Sequence, residues 1–188
     1  MIREATDADV EPAVRTLAAA FADYPFTRHT IAEDNHAERL AAMQRLFVAR
    51  IGLPHGRVWV APDDHGGVDA VAVWTSPDSH RVGEALLELG ARLRELAGDR
   101  AEIAQAAEAS LEPHRPRTPV WFLGTVGVDP GRQGRGLGRA VIEPGLRAAA
   151  DQGVPCYLET SLAGNVSLYR RLGFQVTGEV ELPHGGPT

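Results

Sequence analysis

The run Val126-Gly127-Val128-Asp129-Pro130-Gly131-Arg132-Gln133-Gly134-Arg135-Gly136-Leu137-Gly138-Arg139 ends a strand, turns at a proline and opens a helix on alternating glycines. Glycine has no Cβ, so its backbone N–H can approach an anion closely. A helix start adds unpaired donors and a positive partial charge. Arg132, Arg135 and Arg139 bring further positive charge to the same run. Together these groups suit a pyrophosphate. Other phosphate loops fit worse. A dinucleotide fingerprint needs G-x-G-x-x-G, and Arg139 stands where its last glycine belongs. A Walker loop needs G-K-[ST], and the chain has no Lys. The plain alternative is a glycine-rich turn with solvated arginines.

Outward from this run, residues 120–128 read as the most strand-like stretch of the chain, and residues 136–152 as a helix stopped by Gly153. Pro144 and Gly145 in the middle of that helix predict a kink. Downstream, residues 157–160 read as a short strand, 165–172 as a short helix ended by Gly173, and 174–182 as a further strand. Upstream, residues 2–4 read as a first strand. Thr6 or Asp7 then caps a helix whose apolar face is Val10, Val14, Leu17, Ala18 and Phe21. Residues 23–30 break that period, with Pro25 in an aromatic-rich turn. Residues 35–50 form a second amphipathic helix with Leu40, Met43, Leu46, Phe47 and Ile51 on its buried stripe. Residues 58–61 and 68–74 are strands around a hairpin loop. Residues 82–111 are two helices broken near Gly98, and 113–119 form a stiff loop. Interleaved strands and helices predict one mixed α/β domain over residues 1–188.

Composition narrows the function classes. The net charge of −6 argues against general nucleic-acid binding, which needs a basic face. All 19 basic residues are Arg, so neither a Schiff-base Lys nor a P-loop Lys is available. The single Cys156 excludes an internal disulfide and a Cys-rich metal site, and no metal is expected. No apolar run approaches the ~20 residues of a membrane span, and the charged N-terminus is unlike a signal peptide. A reducing cytoplasm is the expected compartment.

A second motif lies about thirty residues past the glycines. Asn165-Val166-Ser167-Leu168-Tyr169 precedes Arg170-Arg171-Leu172-Gly173-Phe174. A spacing of four on a helix puts Asn165 and Tyr169 on one face. Gln133-x-x-Gly136-x-Gly138 after a Val-x-Val strand, followed by this Asn and Tyr, resembles the acyl-CoA loop and catalytic helix of GNAT acetyltransferases. The resemblance implies an α/β (α+β) fold, a central mixed, mostly antiparallel twisted sheet flanked by helices. It implies acetyl-CoA as cosubstrate, held by Val126, Gly127, Val128, Gln133, Gly134, Arg135, Gly136, Leu137, Gly138, Arg139 and Asn165. Tyr169 becomes the candidate acid for the thiolate, and Glu159 the candidate acceptor of the amine proton. His114 is an alternative base, and Cys156 is expected to be a small apolar strand residue.

Further likeness points to the puromycin N-acetyltransferases within this class. It is carried by residues 15–25, Thr27-Arg28-His29-Thr30, Val58-Trp59-Val60-Ala61, Pro113-His114-Arg115-Pro116 and Leu158-Glu159-Thr160-Ser161. The implied acceptor is a small-molecule primary amine, bound by Tyr24, Phe26, Arg28 and His29 with Trp74 and Trp121 as walls. The alternatives are another amine, a peptide N-terminus, or a CoA-binding module without catalysis. No nucleic-acid or membrane partner is expected, and the protein is expected to be a monomer or homodimer. The family continues into one more strand past Gly185-Gly186-Pro187-Thr188, which predicts an exposed sheet edge beside residues 174–182.

Overall fold

Five strands form one sheet, β1 (Arg3–Glu4), β2 (Arg57–Pro62), β3 (Val68–Thr75), β4 (Trp121–Val128) and β5 (Cys156–Leu158), in a computed structural model that describes residues 1–188. Their order in the sheet is their order in the chain. The pairings β1–β2, β2–β3 and β3–β4 are antiparallel, and β4–β5 is parallel. The helices are α1 (Val10–Phe21), α2 (Pro25–Thr30), α3 (His36–Leu46), α4 (Leu53–His55), α5 (Val82–Ala97), α6 (Ala101–Leu111), α7 (Leu137–Gln152) and α8 (Ala163–Arg171). The mixed, mostly antiparallel sheet flanked by helices is the architecture expected above.

Helices cover both faces of the sheet, so the central strands are apolar on both sides. Ala13 and Leu17 of α1 meet Val58, Val60, Val71 and Val73 on one face. Trp59, Ala70, Ala72, Trp74, Trp121 and Leu123 meet Val141 and Ile142 of α7 and Tyr169 of α8 on the other. Alternation along β2 and β3 sorts side chains between these two cores. Gly145 lets α7 lie close: a Cβ there would sit 2.4 Å from Trp74 Cε2. Pro144, inside the same helix, has no N–H, so the Ala140 carbonyl loses its usual helical donor. Gly153 ends α7 in the left-handed conformation, φ 66°.

Three expectations are corrected. Residues 23–30 are not an open turn; they contain α2. Pro25 presets its first turn, and the hydroxyls of Thr27 and Thr30 bond back to Phe21, Tyr24 and Phe26 carbonyls. The second helix does not run regularly to residue 50, because α3 gives way to a wider π turn at Phe47–Gly52. There Gly52 passes so close to β2 and β3 that a Cβ would lie 2.6 Å from Val58 Cγ2. Finally, residues 174–182 form no strand. Their period-two pattern selects a face but supplies no ladder partner, and β5 offers only three residues. The tail is held by its end instead: Leu182 is buried, and His29 Nε2 bonds the Pro183 carbonyl at 2.9 Å.

Candidate functional site

The site begins with a fork in the sheet. β4 and β5 pair only at Trp121↔Cys156, Phe122↔Tyr157 and Leu123↔Leu158. The β3–β4 register slips at the same height, from Val73↔Thr125 to Trp74↔Leu123, which leaves Gly124 as an extra residue. Such a bulge bends a strand and ends its pairing. Beyond it the β5-facing edge of β4 is free. The Asp129 N–H donates to Asp69 O at 2.8 Å on the β3 side. By alternation, the N–H and C=O of Val126 and Val128 face the open edge.

The glycine run stands at the end of that edge. Asp129 Oδ1 accepts the Gly131 N–H at 2.8 Å and shapes the turn. Gly134 and Gly136 have φ of +76° and +79°, and nothing lies within 4 Å of where their Cβ atoms would be. Gly136 starts α7 with no side-chain cap, so the first-turn N–H groups are free for a ligand. Arg132 pairs with Asp69 and Arg139 with Glu143, whereas exposed Arg135 makes no ion pair. An unpaired strand edge leading to an uncapped, glycine-lined helix start fits an acyl-CoA: amide groups of the arm at the edge, pyrophosphate at the helix. Leu137 packs beneath against the larger core, and Gln133 Nε2 reaches the Val128 carbonyl at 3.5 Å.

Asn165 and Tyr169 stand four residues apart on α8, and Tyr169 joins the core cluster that holds Trp121 and Leu123 of β4. Tyr169 is 7% exposed and meets Phe174 edge-on, with ring centroids 5.9 Å apart. Burial raises the affinity of its phenol for the proton, and nearby Tyr24 adds to the rise. Tyr24 crosses from the α1–α2 connection to the segment after β5. Its hydroxyl accepts the Ser161 N–H at 2.8 Å and bonds Thr160 Oγ1 at 3.0 Å. The Phe26 N–H reaches Ser161 Oγ at 3.2 Å, and Asn165 Nδ2 reaches Thr160 Oγ1 at 3.5 Å. Tyr24 and Phe26, far from Asn165 in the chain, thus meet it around Thr160 and Ser161.

The opposite mouth of the fork, on the α1 face, is lined by residues that sequence reasoning passed over. Phe122 and Tyr157 stack with centroids 5.9 Å apart and planes at 27°. The Thr125 hydroxyl is buried without a partner. Glu159, the candidate acceptor of the amine proton, is held by two neighbours. Its Oε1 accepts from Arg115 Nε at 2.8 Å and from the Tyr157 hydroxyl at 3.1 Å, and its Oε2 accepts from Arg115 Nη2 at 3.0 Å. Oε1 is saturated, and Oε2 keeps one lone pair. Tyr157 is pushed up to about 12, by burial first and then by Glu159.

Other expected site residues lie elsewhere. Trp74 is 0% exposed and Trp121 3%, and both belong to the core cluster on the α7 face of the sheet. Trp121 also stands at the paired end of β4, where its Nε1 donates to Gln152 at 2.7 Å. Arg28 turns to solvent and pairs with exposed Asp23. His29 is spent on the C-terminal tail. His114 is exposed. The Cys156 thiol is pushed up to about 11 by burial, which suits an inert strand residue. A polar depression of about 360 Å³, lined by His55, Arg57 and His80 among others, opens at the Trp121 end and takes no part in the fork. The signal for the missed residues was weak: Phe122 and Tyr157 alternate with core residues, and Arg115 sits 44 positions before Glu159.

A family model of the acetyltransferase (GNAT) family matches residues 12–174. A solved structure from Corynebacterium glutamicum ATCC 13032, described as histone acetyltransferase HPA2 and related acetyltransferase, superposes with TM-score 0.77 and 29% identity. It covers 99% of this chain and 90% of its own. A polyamine N-acetyltransferase of Drosophila melanogaster shares the fold at TM-score 0.60 and 20% identity, over 99% of this chain and 90% of that one. Mycothiol acetyltransferase of Streptomyces scabiei is 46% identical over 66 residues, 34% of this chain. The matched stretch spans only 21% of that relative's length.

Proposed function

The chain belongs to the GNAT acetyltransferase family, and from that premise we propose that it transfers the acetyl group of acetyl-CoA to a primary amine of a small molecule. One observation carries this reading: the edge of β4 that β5 leaves unpaired runs to the uncapped glycine loop, and the Tyr169 ring is buried in the core cluster that holds Trp121 and Leu123 of the same strand. Val126 and Val128 bind the pantetheine arm as an added strand would bind. The start of α7 and Arg135 hold the pyrophosphate. The cosubstrate supplies an activated thioester. The chain's task is to hold two reactants in line, which is mainly proximity catalysis. The amine enters from the α1 face and attacks the carbonyl carbon as the C–S bond breaks. Tyr169 holds its proton at neutral pH and gives it to the departing sulfur. The amine's own proton leaves through water or the remaining lone pair on Glu159 Oε2.

The acceptor we propose is puromycin or a related aminonucleoside, so that one acetyl group on its free α-amine inactivates the drug. The likeness along residues 15–30 and 113–116 supports this, as do the stacked Phe122 and Tyr157, which suit a flat group. The kinships with mycothiol and polyamine acetyltransferases favour a second reading, another small amine in the same site. Steady-state kinetics separate the two. With acetyl-CoA saturating, kcat/KM for puromycin should exceed that for tyrosine methyl ester by about tenfold or more, as a recognised nucleoside requires. Equal values would end the aminonucleoside reading and leave the acetyltransferase reading standing.

A further inference from the structure

Arg115 lies between two carboxylates at the acceptor mouth. Its Nη2 donates to both oxygens of Glu108, at 2.9 Å each, and to Glu159 Oε2 at 3.0 Å, while Nε donates to Glu159 Oε1. Its Nη1 has no partner, so two N–H donors are unspent. The trio carries two negative charges and one positive, and it is half-buried: the side chains of Arg115 and Glu159 are 35% and 22% exposed. Burial of this order strengthens its field relative to a surface ion pair. Beside it stands the Phe122–Tyr157 stack, joined to the trio by the Tyr157 hydroxyl.

We propose that this trio selects an acceptor with a single amine and a carbonyl on the adjacent carbon, an α-aminoacyl amide or ester bearing a flat side chain. The inference rests on the acetyltransferase reading above and names its substrate class. The ammonium approaches the open lone pair of Glu159 Oε2 and the net negative charge. The carbonyl oxygen accepts from Arg115 Nη1, and the flat group covers Phe122 and Tyr157. A diamine fits badly, because it brings no carbonyl to Arg115 Nη1 and its second cation meets the guanidinium charge. An amine without the carbonyl leaves Nη1 unpaired in a partly dry site.

The test is a panel of L-phenylalaninamide, phenethylamine and 1,4-diaminobutane, read by thiol release at saturating acetyl-CoA. For the unaltered protein, kcat/KM should favour phenylalaninamide by roughly tenfold or more over each of the others, the worth of one hydrogen bond to a charged group. Arg115→Gln should lower the amide value about tenfold, raise the diamine value, and leave KM for acetyl-CoA unchanged. Arg115→Lys should restore only part of the preference, since it returns the charge without the fork. Equal or better use of phenethylamine or the diamine by the unaltered protein overturns the inference alone. So does an Arg115→Gln variant that loses activity on all three equally, which marks a structural role. If that variant does not fold, the unaltered protein's panel decides. Thiol release that none of these amines, nor puromycin, raises above the amine-free background overturns both this inference and the acetyltransferase reading.

Discussion

Tyr169 does its proposed work because it is buried. Desolvation disfavours the phenolate, so the proton stays in place well above neutral pH. Tyr169→Phe keeps the ring packed on Phe174 and removes the donor. The kcat should fall by roughly 10²-fold, while the acetyl-CoA affinity measured by calorimetry stays the same. The raised pKa also fixes the sign of the pH dependence. A group raised in this way is protonated throughout the range below its folded value. The rate should therefore climb as the amine deprotonates, near pH ~7.7 for an α-amine, and then stay level to about pH 10, still below the perturbed phenol. A fall below that pH, absent from Tyr169→Phe, would show that the phenol ionises early. The four-residue spacing from Asn165 made Tyr169 legible in the sequence. Glu159 was legible only as a carboxylate at a strand end. Its bonds to Arg115 and Tyr157 depend on folding that joins residues 44 positions apart.

The decisive element is the junction of β4, the glycine run and α7. Gly136 sits at φ +79° with open space around it. A valine there meets no neighbour, yet it must adopt a left-handed backbone that costs ~1–2 kcal/mol, and its branches fill the approach to the helix start. Gly136→Val should weaken acetyl-CoA binding by about tenfold or more and shift the melting temperature by only a few degrees. Unchanged affinity by calorimetry would move the phosphate site elsewhere. Local chemistry made this junction readable, because glycines, an Asp-Pro turn and β-branched residues each dictate backbone within a few positions. The bulge at Gly124 was not readable. It is a mismatch between two strands, and its partner Val73 lies far back in the chain. The π turn at Phe47–Gly52 escaped for the same reason, since its close approach to Val58 and Val73 is a tertiary contact.

Across the whole molecule, stability rests on two helical layers pressed onto one sheet. One close approach between layers is α7 on β3, where Gly145 faces Trp74. Gly145→Ala would put a methyl 2.4 Å from Trp74 Cε2 in a core with no room to give. Overpacking of this kind costs about 1–3 kcal/mol, a melting shift of roughly 2–4 °C per kcal/mol in a chain this size. Gly90→Ala is the contrast: it lies exposed within α5 with nothing within 4 Å. It should stabilise by up to ~1 kcal/mol through helix propensity alone. Thermal melts of the two variants in opposite directions would bear this out; a stabilised Gly145→Ala would not. Periodicity, turn residues and glycine placement act over a few neighbouring positions. The sequence by itself therefore determined the strands and helices around the glycine loop, the glycine-lined helix start and the shared face of Asn165 and Tyr169. Only the tertiary structure decided where β4 parts from β5, that Trp74 and Trp121 are core, that His29 holds the tail, that residues 174–182 stay unpaired, and that Arg115 bridges Glu108 and Glu159. Each of those is set by contacts between distant segments, whose energies depend on packing that no local pattern encodes.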